Sequence, residues 1–456
     1  MEDLVVTVTA KTVVKAATTD SSQNPTLALS NLDLLSGRFP VTYLYFYTNS
    51  QSHNIDFPCI MDSLKLSLAK TLHYYYPFSG RIVANPSTAE LVIICDNQGT
   101  LVVEAHANVP LKMLDFYNLD KLVTQGKLVS LSPDFLFQVQ VTRYTCGGVS
   151  MTFTFDHALG DAASFSKFLR SWSEISRHKS LSCIPDHRRR ELLKPRDPPR
   201  YQSSMDRTFV RCTIDEILNM PTSTSTSTMV KRLYHIDAPC IDRLQVMASA
   251  GGIKRTKIEA FSAYIWKAMV KAVDGNECKM GWLVDGRGRM GGSLKNDPMS
   301  NYIGNVLSLA VGEANVDELE RDSVAEVATR VHEAIFDATR EEHFLELMDW
   351  IECHRPGLVM ARIVLGGGGS GAPAAVVVSS GRKFPVAELE FGFGSPVLGT
   401  VSSTIEKIGV GYLNQRESGR NDGSWTVSAI LWPQLVQVLE SDSVLQPISV
   451  AQHLLL

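Results

Sequence analysis

The five residues His157-Ala-Leu-Gly-Asp161 set a titratable base and a carboxylate four positions apart. An imidazole has an unperturbed pKa of about 6.5, so its neutral form dominates near neutral pH and can take a proton from a hydroxyl. The aspartate can orient that imidazole, as it does in hydrolase triads, or brace the loop that carries it. Spacing alone leaves both open, beside the plainer alternative of a satisfied loop histidine next to a solvated aspartate. Position favours chemistry. The apolar, β-rich run Val149-Ser-Met-Thr-Phe-Thr-Phe155 leads into the five residues, and a helix-like stretch begins near Ala163. A strand ending in a loop holds the next side chains at a rigid, often functional edge.

Other candidate constellations fall away. Ser52-His53 and Cys353-His354 are neighbours in sequence but sit in no nucleophile motif. Gly286-Arg-Gly-Arg-Met-Gly291 matches G-x-G-x-x-G after an apolar strand, yet the turn-forming Gly292-Ser-Leu-Lys-Asn-Asp-Pro298 cannot be a dinucleotide-binding helix. Gly366-Gly-Gly-Gly-Ser-Gly371 lacks the Gly-Lys-Ser/Thr of a phosphate cradle, and Ala372 stands where a nucleophile elbow needs glycine. It reads as a flexible loop. Eight cysteines with no close pair suit neither a metal site nor a disulfide framework, so no metal is expected.

Composition points the same way. At 456 residues, 44% apolar and 20% charged, the chain suits a globular protein of two domains. A net charge of −4 offers no nucleic-acid or anionic-membrane surface. The basic run His187-Arg-Arg-Arg-Glu191 is short and reads as a solvated loop. The first residues lack a basic-then-apolar leader, no apolar run approaches the roughly 20 residues of a spanning helix, and no usable Asn-x-Ser/Thr sequon is present. A soluble, cytoplasmic monomer is expected.

The elements that position His157 read as mixed. Alternating runs predict strands at 4–9, 41–47, 90–94, 101–105, 135–142 and 149–155, with a helix over 60–74 stopping before Pro77 and another over 165–175. A proline-rich stretch, Lys194-Pro-Arg-Asp-Pro-Pro-Arg200, suits a crossover, and Thr222-Ser-Thr-Ser-Thr-Ser-Thr228 a surface loop. Helices follow over 239–250, 257–273 and 322–340, with strands at 229–236, 281–284, 374–379, 388–391, 408–412 and 425–431. Without a βαβ rhythm, the fold class is α+β: two similar-sized domains of mixed sheets flanked by helices, with the active-site channel between them. The expected division is 1–185, a crossover over 186–215, and 216–456, with about 375–400 packing on the first domain.

The motifs, taken together, resemble the plant BAHD acyltransferases, CoA-dependent enzymes marked by H-x-x-x-D-G and D-F-G-W-G. The first appears with Ala162 for glycine, and the second as Glu390-Phe391-Gly392-Phe393-Gly394. Tyr75-Tyr-Pro-Phe-Ser-Gly-Arg81, Gln140-Val-Thr-Arg143, Cys146-Gly-Gly148, Val284-Asp-Gly-Arg287 and Tyr302-Ile-Gly-Asn305 extend the match in order along nearly the whole chain. Ser379-Ser-Gly-Arg-Lys-Phe-Pro-Val386 and Phe155-Asp-His157 are most similar to the branch containing coniferyl alcohol acyltransferases.

The resemblance implies roles. His157 is the general base, while Asp161 turns from it to pair with an arginine. Glu390 pairs with Arg287 and, with Phe391, Gly392, Phe393 and Gly394, holds the coenzyme-side architecture. The added Cβ of Ala162 calls for an ordinary backbone there. Ser379 keeps a hydroxyl where relatives use threonine for the oxyanion, whereas Gly381 replaces a tryptophan, leaving Ser379 sufficient or the acceptor pocket enlarged. Lys254, Arg255, Thr256 and Lys257, ahead of a helix with Thr256 as its N-cap, form an anion site for coenzyme A phosphates, with Arg289 a further candidate. The bland alternative is a solvated basic helix start. Pro40 stands where some hydroxycinnamoyl transferases have histidine, so a neutral alcohol is favoured over a quinate-type acceptor. The expected protein is an O-acyltransferase with acyl-CoA as co-substrate, a small-molecule alcohol as partner, and no permanently bound cofactor, nucleic acid or membrane. An N-acyltransferase and a catalytically silent binding protein are the alternatives.

Overall fold

The computed structural model describes residues 3–17, 25–48, 56–213, 229–290, 298–365, 374–381, 386, 388–392, 394–403 and 410–453. The serine–threonine tract at 222–228, the glycine run at 366–371, Ser52, His53 and Phe393 lie outside them.

Two mixed sheets organise the chain. The first runs in the order Val6–Val14, Thr100–Ala107, Phe137–Arg143, Val149–Asp156, Pro40–Tyr47 and Leu398–Ser403. Its β-branched and aromatic residues suit a pleated, buried surface. The strand ending at Asp156 is central, paired with Pro40–Tyr47 on one side and Phe137–Arg143 on the other. It is buried on both faces, Val149, Met151, Phe153 and Phe155 alternating with the buried hydroxyls of Ser150, Thr152 and Thr154. The second sheet orders Leu307–Asn315, Glu277–Asp285, Ala374–Ser380, Gly411–Glu417, Trp425–Leu431, Val230–Ile236 and Gln446–Pro447. Each sheet holds parallel and antiparallel pairs, as the α+β reading expects.

Helices Phe57–Tyr74 and Ala162–Ser176 bury Leu64, Leu68, Phe165, Phe168 and Trp172 against the first sheet. Helices Ala238–Ala248, Lys257–Met269, Val324–Ala338 and Glu341–His354 cover the second. Local chemistry starts them. Thr256 and Glu259 form a reciprocal capping box, as do Ser323 and Glu326. The C-terminal half also feeds the first sheet, since Leu398–Ser403 pairs with Val41–Phe46. Of the stretch 375–400, residues 375–380 lie in the second sheet.

Four readings need correction. Residues 388–391, expected as a strand, form a turn and irregular chain. That conformation drops Phe391 into the core beneath Trp172 while Glu388 and Glu390 reach arginines of the neighbouring helix. The helix Glu341–His354 and the strand Leu307–Asn315 were not anticipated. The crossover contains short helices, Arg189–Leu192 and Ser204–Thr208, and a strand, Phe209–Cys212, that pairs with Leu358–Ala361. No helix of the described residues is long and apolar enough to cross a membrane.

Candidate active site

His157 follows the last residue of its strand and opens a single helical turn, His157–Leu159. Its backbone is held from three directions. Its N–H donates to the Phe39 carbonyl at 3.0 Å, and its carbonyl accepts from Asn305 Nδ2 at 3.0 Å. The next two carbonyls, of Ala158 and Leu159, accept from Arg189 at 2.7 and 2.5 Å. Arg189 in turn pairs with Asp33 at 3.2 Å, both side chains wholly buried, and Asp33 also accepts from the Asn305 backbone and amide. The reading of the basic run as a solvated loop is therefore wrong at Arg189 and at His187, which is buried with Nε2 on the Tyr74 carbonyl. A cation buried among carbonyls and one carboxylate orders the loop because no water competes for it.

The imidazole stacks on Phe39 at 4.7 Å between centroids. Nδ1 is buried and has no hydrogen-bond partner among the described residues. Burial lowers the pKa of His157 from its ordinary value, against the opposing pull of Asp161, Asp156 and Asp33. The ring is thus a neutral base at neutral pH.

Asp161 does not touch it. Both its oxygens meet Arg287, at 2.8 and 2.9 Å, and they also accept from the backbone N–H groups of Ser164 and Val306. Burial raises its carboxyl pKa, but the Arg287 guanidinium and these donors outweigh that and hold it below the usual range. Asp161 therefore caps helix Ala162–Ser176 and clamps it to the strand-and-loop region of the second sheet. Ala162 simply opens that helix. The glycine that the turn requires is Gly160, where a Cβ would lie 2.7 Å from Ser164 Cβ.

The His157 ring forms part of the wall of a cavity of about 640 Å³. Leu29, Leu34, Leu35, Phe39 and Leu91 contribute from the first half of the chain, and Leu307, Leu309, Leu358, Val377 and Tyr412 from the second. Such a mostly apolar, two-sided cleft with a few polar groups is the form small-molecule sites take. Pro40 is not part of the wall. Its neighbour Arg38 is, and pairs with Asp156 at 2.8 Å.

A family model described as "Transferase: Transferase family" matches residues 4–445. The chain belongs to that family. Its members are the BAHD acyl-CoA-dependent acyltransferases, and this chain is one of those enzymes. It is similar to anthranilate N-benzoyltransferase protein 1 of Dianthus caryophyllus, 29% identical over 450 residues, 92% of this chain and 95% of the relative. It is also similar to shikimate O-hydroxycinnamoyltransferase of Nicotiana tabacum, 25% identical over 447 residues, 94% of this chain and 97% of the relative. The crystal structure of F. graminearum TRI101 with coenzyme A and T-2 mycotoxin shares the fold, with a TM-score of 0.70 at 16% identity over 92% of this chain and 99% of that one.

Within this BAHD acyltransferase, three expected placements change. Glu390 does not pair with Arg287. It meets Arg177, the C-cap of helix Ala162–Ser176, at 3.0 Å, because Asp161 already occupies the buried guanidinium. Phe391 is buried against Trp172, and Gly392 and Gly394 both have positive φ. Gly381 does not widen the cavity, since a Cβ there would meet Arg416 Cβ at 3.0 Å and the Gln415 carbonyl at 3.1 Å. The missing side chain makes room for a buried arginine. Ser379 is not on the cavity wall either. Its Oγ binds Tyr412 Oη and Asn414 Nδ2, both at 2.6 Å, so the hydroxyl presented by this strand pair is that of Tyr412.

Of the proposed coenzyme residues, Lys254, Arg255, Thr256 and Lys257 gather at one helix end, Arg289 lies apart in the short helix Arg287–Met290, and none is on the cavity wall. Thr256 caps Lys257–Met269, and Lys257 pairs with Asp242 at 2.8 Å. Arg255 is buried, turned inward onto Thr329 Oγ1 at 2.8 Å, while Lys254 and Arg289 are exposed. Sequence reasoning missed Asp33, Arg189 and Tyr412. Asn305 was quoted only as part of a motif, and no local pattern announced any of the four as site residues.

Proposed function

We propose that this BAHD acyltransferase moves an acyl group from acyl-CoA to the hydroxyl of a small, neutral organic acceptor, with His157 as general base and no acyl-enzyme. The observation that carries this is the His157 ring on the wall of an apolar, two-sided cavity. Of the groups there that can accept a proton near neutral pH, Asp33 is committed to Arg189, leaving the imidazole. The acceptor O–H would give its proton to Nε2 as oxygen attacks the thioester carbon. Collapse of the resulting oxyanion would expel the coenzyme A thiolate, which takes that proton back. Ester and free thiol result.

The leucine-rich wall supports an apolar acceptor and acyl group, of acetyl or hydroxycinnamoyl type, over a polyanionic one. Coenzyme A phosphates are assigned to the amino end of Lys257–Met269, with Lys254 and Lys257 supplying charge and Arg255 shaping the turn. A monomer acting in the cytosol on small molecules completes the reading. The N-benzoyltransferase relative favours a second one, an amine acceptor giving an amide.

The test is thiol release and product mass spectrometry with acetyl-, benzoyl- and 4-coumaroyl-CoA against arylalkanols and anthranilate. Esters formed by the wild type and lost in His157→Ala support the proposal, amides alone shift it to the second reading, and no turnover with any pair sinks both.

A further inference from the structure

Tyr412, Asn414 and Arg416 alternate along one face of Gly411–Glu417, and Ser379 joins them from the parallel strand, where it is in register with Asn414. Their hydrogen bonds have a direction. Arg416 can only donate, and its Nη2 and Nε reach Asn414 Oδ1 at 2.7 and 3.2 Å. That fixes the amide with Nδ2 toward Ser379 Oγ, 2.6 Å away. Ser379, having accepted from Asn414, still carries its own proton, and its remaining partner is Tyr412 Oη at 2.6 Å. Were the serine not to donate there, a buried O–H would have no acceptor, at a cost of about 1–3 kcal/mol. The phenol oxygen is therefore an acceptor within the ladder, and its own proton has no acceptor among the described residues. Tyr412 is on the cavity wall. It shares a cluster with Leu309 and Val377 of the second sheet and with the neighbouring Ala361 and Val364, whereas His157 packs on Phe39 and on Phe155 of the first sheet.

Resting on the acyl-transfer reading above, we propose that Tyr412 is a specificity-determining donor: its phenol O–H binds a neutral oxygen (hydroxyl, methoxyl or carbonyl) of the organic substrate, away from the reacting carbon. In a largely apolar wall, a committed donor penalises any substrate that leaves it unmet. The oxygen belongs either to the acceptor or to the acyl group. Burial pushes the phenol's pKa up, so the proton stays in place at neutral pH.

Two arms separate the sources. The first compares kcat/KM for 3-(4-hydroxyphenyl)propanol and 3-phenylpropanol with acetyl-CoA. The second compares 4-coumaroyl-CoA and cinnamoyl-CoA with one alcohol. In the wild type one arm should show a preference for the oxygenated partner, and Tyr412→Phe should reduce that ratio by about 10–100-fold. Ser379→Ala, which removes the phenol's donor, and Asn414→Leu, which removes the amide that orients that donor, should relax the same ratio several-fold. The arm that responds identifies the source. No preference in either arm of the wild type, or a ratio unchanged in all three variants even with lower absolute rates, overturns the proposal. His157→Ala measured in parallel tests the base independently of these ratios.

Discussion

At the residue scale, the histidine and aspartate of His157-x-x-x-Asp161 do separate jobs. The imidazole is kept neutral by burial, so its proton-accepting form persists below its ordinary pKa. Two outcomes follow for the general base. His157→Ala should lower kcat/KM by about 10²–10⁴, and the acid limb of the wild-type kcat/KM–pH profile should fall below pH ~6.5. A limb above that value in steady-state assays would contradict the burial argument. Asp161 instead belongs to a buried ion pair with Arg287. Asp161→Ala strands that guanidinium and should cost about 3–5 kcal/mol in urea unfolding. If the aspartate oriented the imidazole, the variant would instead keep its stability and lose only kcat.

At the element scale, the Glu390–Gly394 motif fastens the chain after the second sheet onto helix Ala162–Ser176. Its contributions are unequal. The Glu390–Arg177 pair is partly exposed, at 36% and 25% for the two side chains, whereas Phe391 is buried between Trp172 and Phe153. Glu390→Gln should therefore cost under about 1 kcal/mol and Phe391→Ala about 3–5 kcal/mol, read from denaturant midpoints at constant m. Equal costs would show that the ion pair, not the ring, secures the segment. This also explains why glutamate serves in a place where aspartate is the family's choice. A surface pair tolerates a longer reach.

At the scale of the whole molecule, the two halves are bound through buried polar groups around the cavity, and several buried histidines, at the cavity and away from it, are neutral. Burial pushes His187 and His343 down to about 4, and lowers His157 as well. In the unfolded chain they would titrate near 6.5, so the unfolded state binds more protons between those values. The folded state's advantage is complete above pH ~6.5 and is lost as pH falls toward about 4. Melting temperature should drop steadily across that window. His187→Gln, which keeps a donor for the Tyr74 carbonyl without titrating, should flatten the slope, and a slope equal to that of the wild type would exclude His187 as a contributor.

Sequence alone determined the parts set by local pattern and by motif order: the strand over 149–155 leading into the His157 loop, the cap at Thr256, the α+β class, the family and the identity of His157 as the residue to watch. Strand alternation, capping chemistry and proline placement act over a few residues, so a linear reading reaches them. Tertiary structure decided the partners. Which carboxylate takes Arg287, that Arg189 is buried beneath the His157 loop, that Gly381 shelters Arg416, and that Tyr412 rather than Ser379 presents a hydroxyl all depend on residues far apart in the chain. A long polar side chain is mobile and solvated until packing removes the water around it, and only the folded arrangement fixes which opposite charge or hydrogen-bonding group replaces that water.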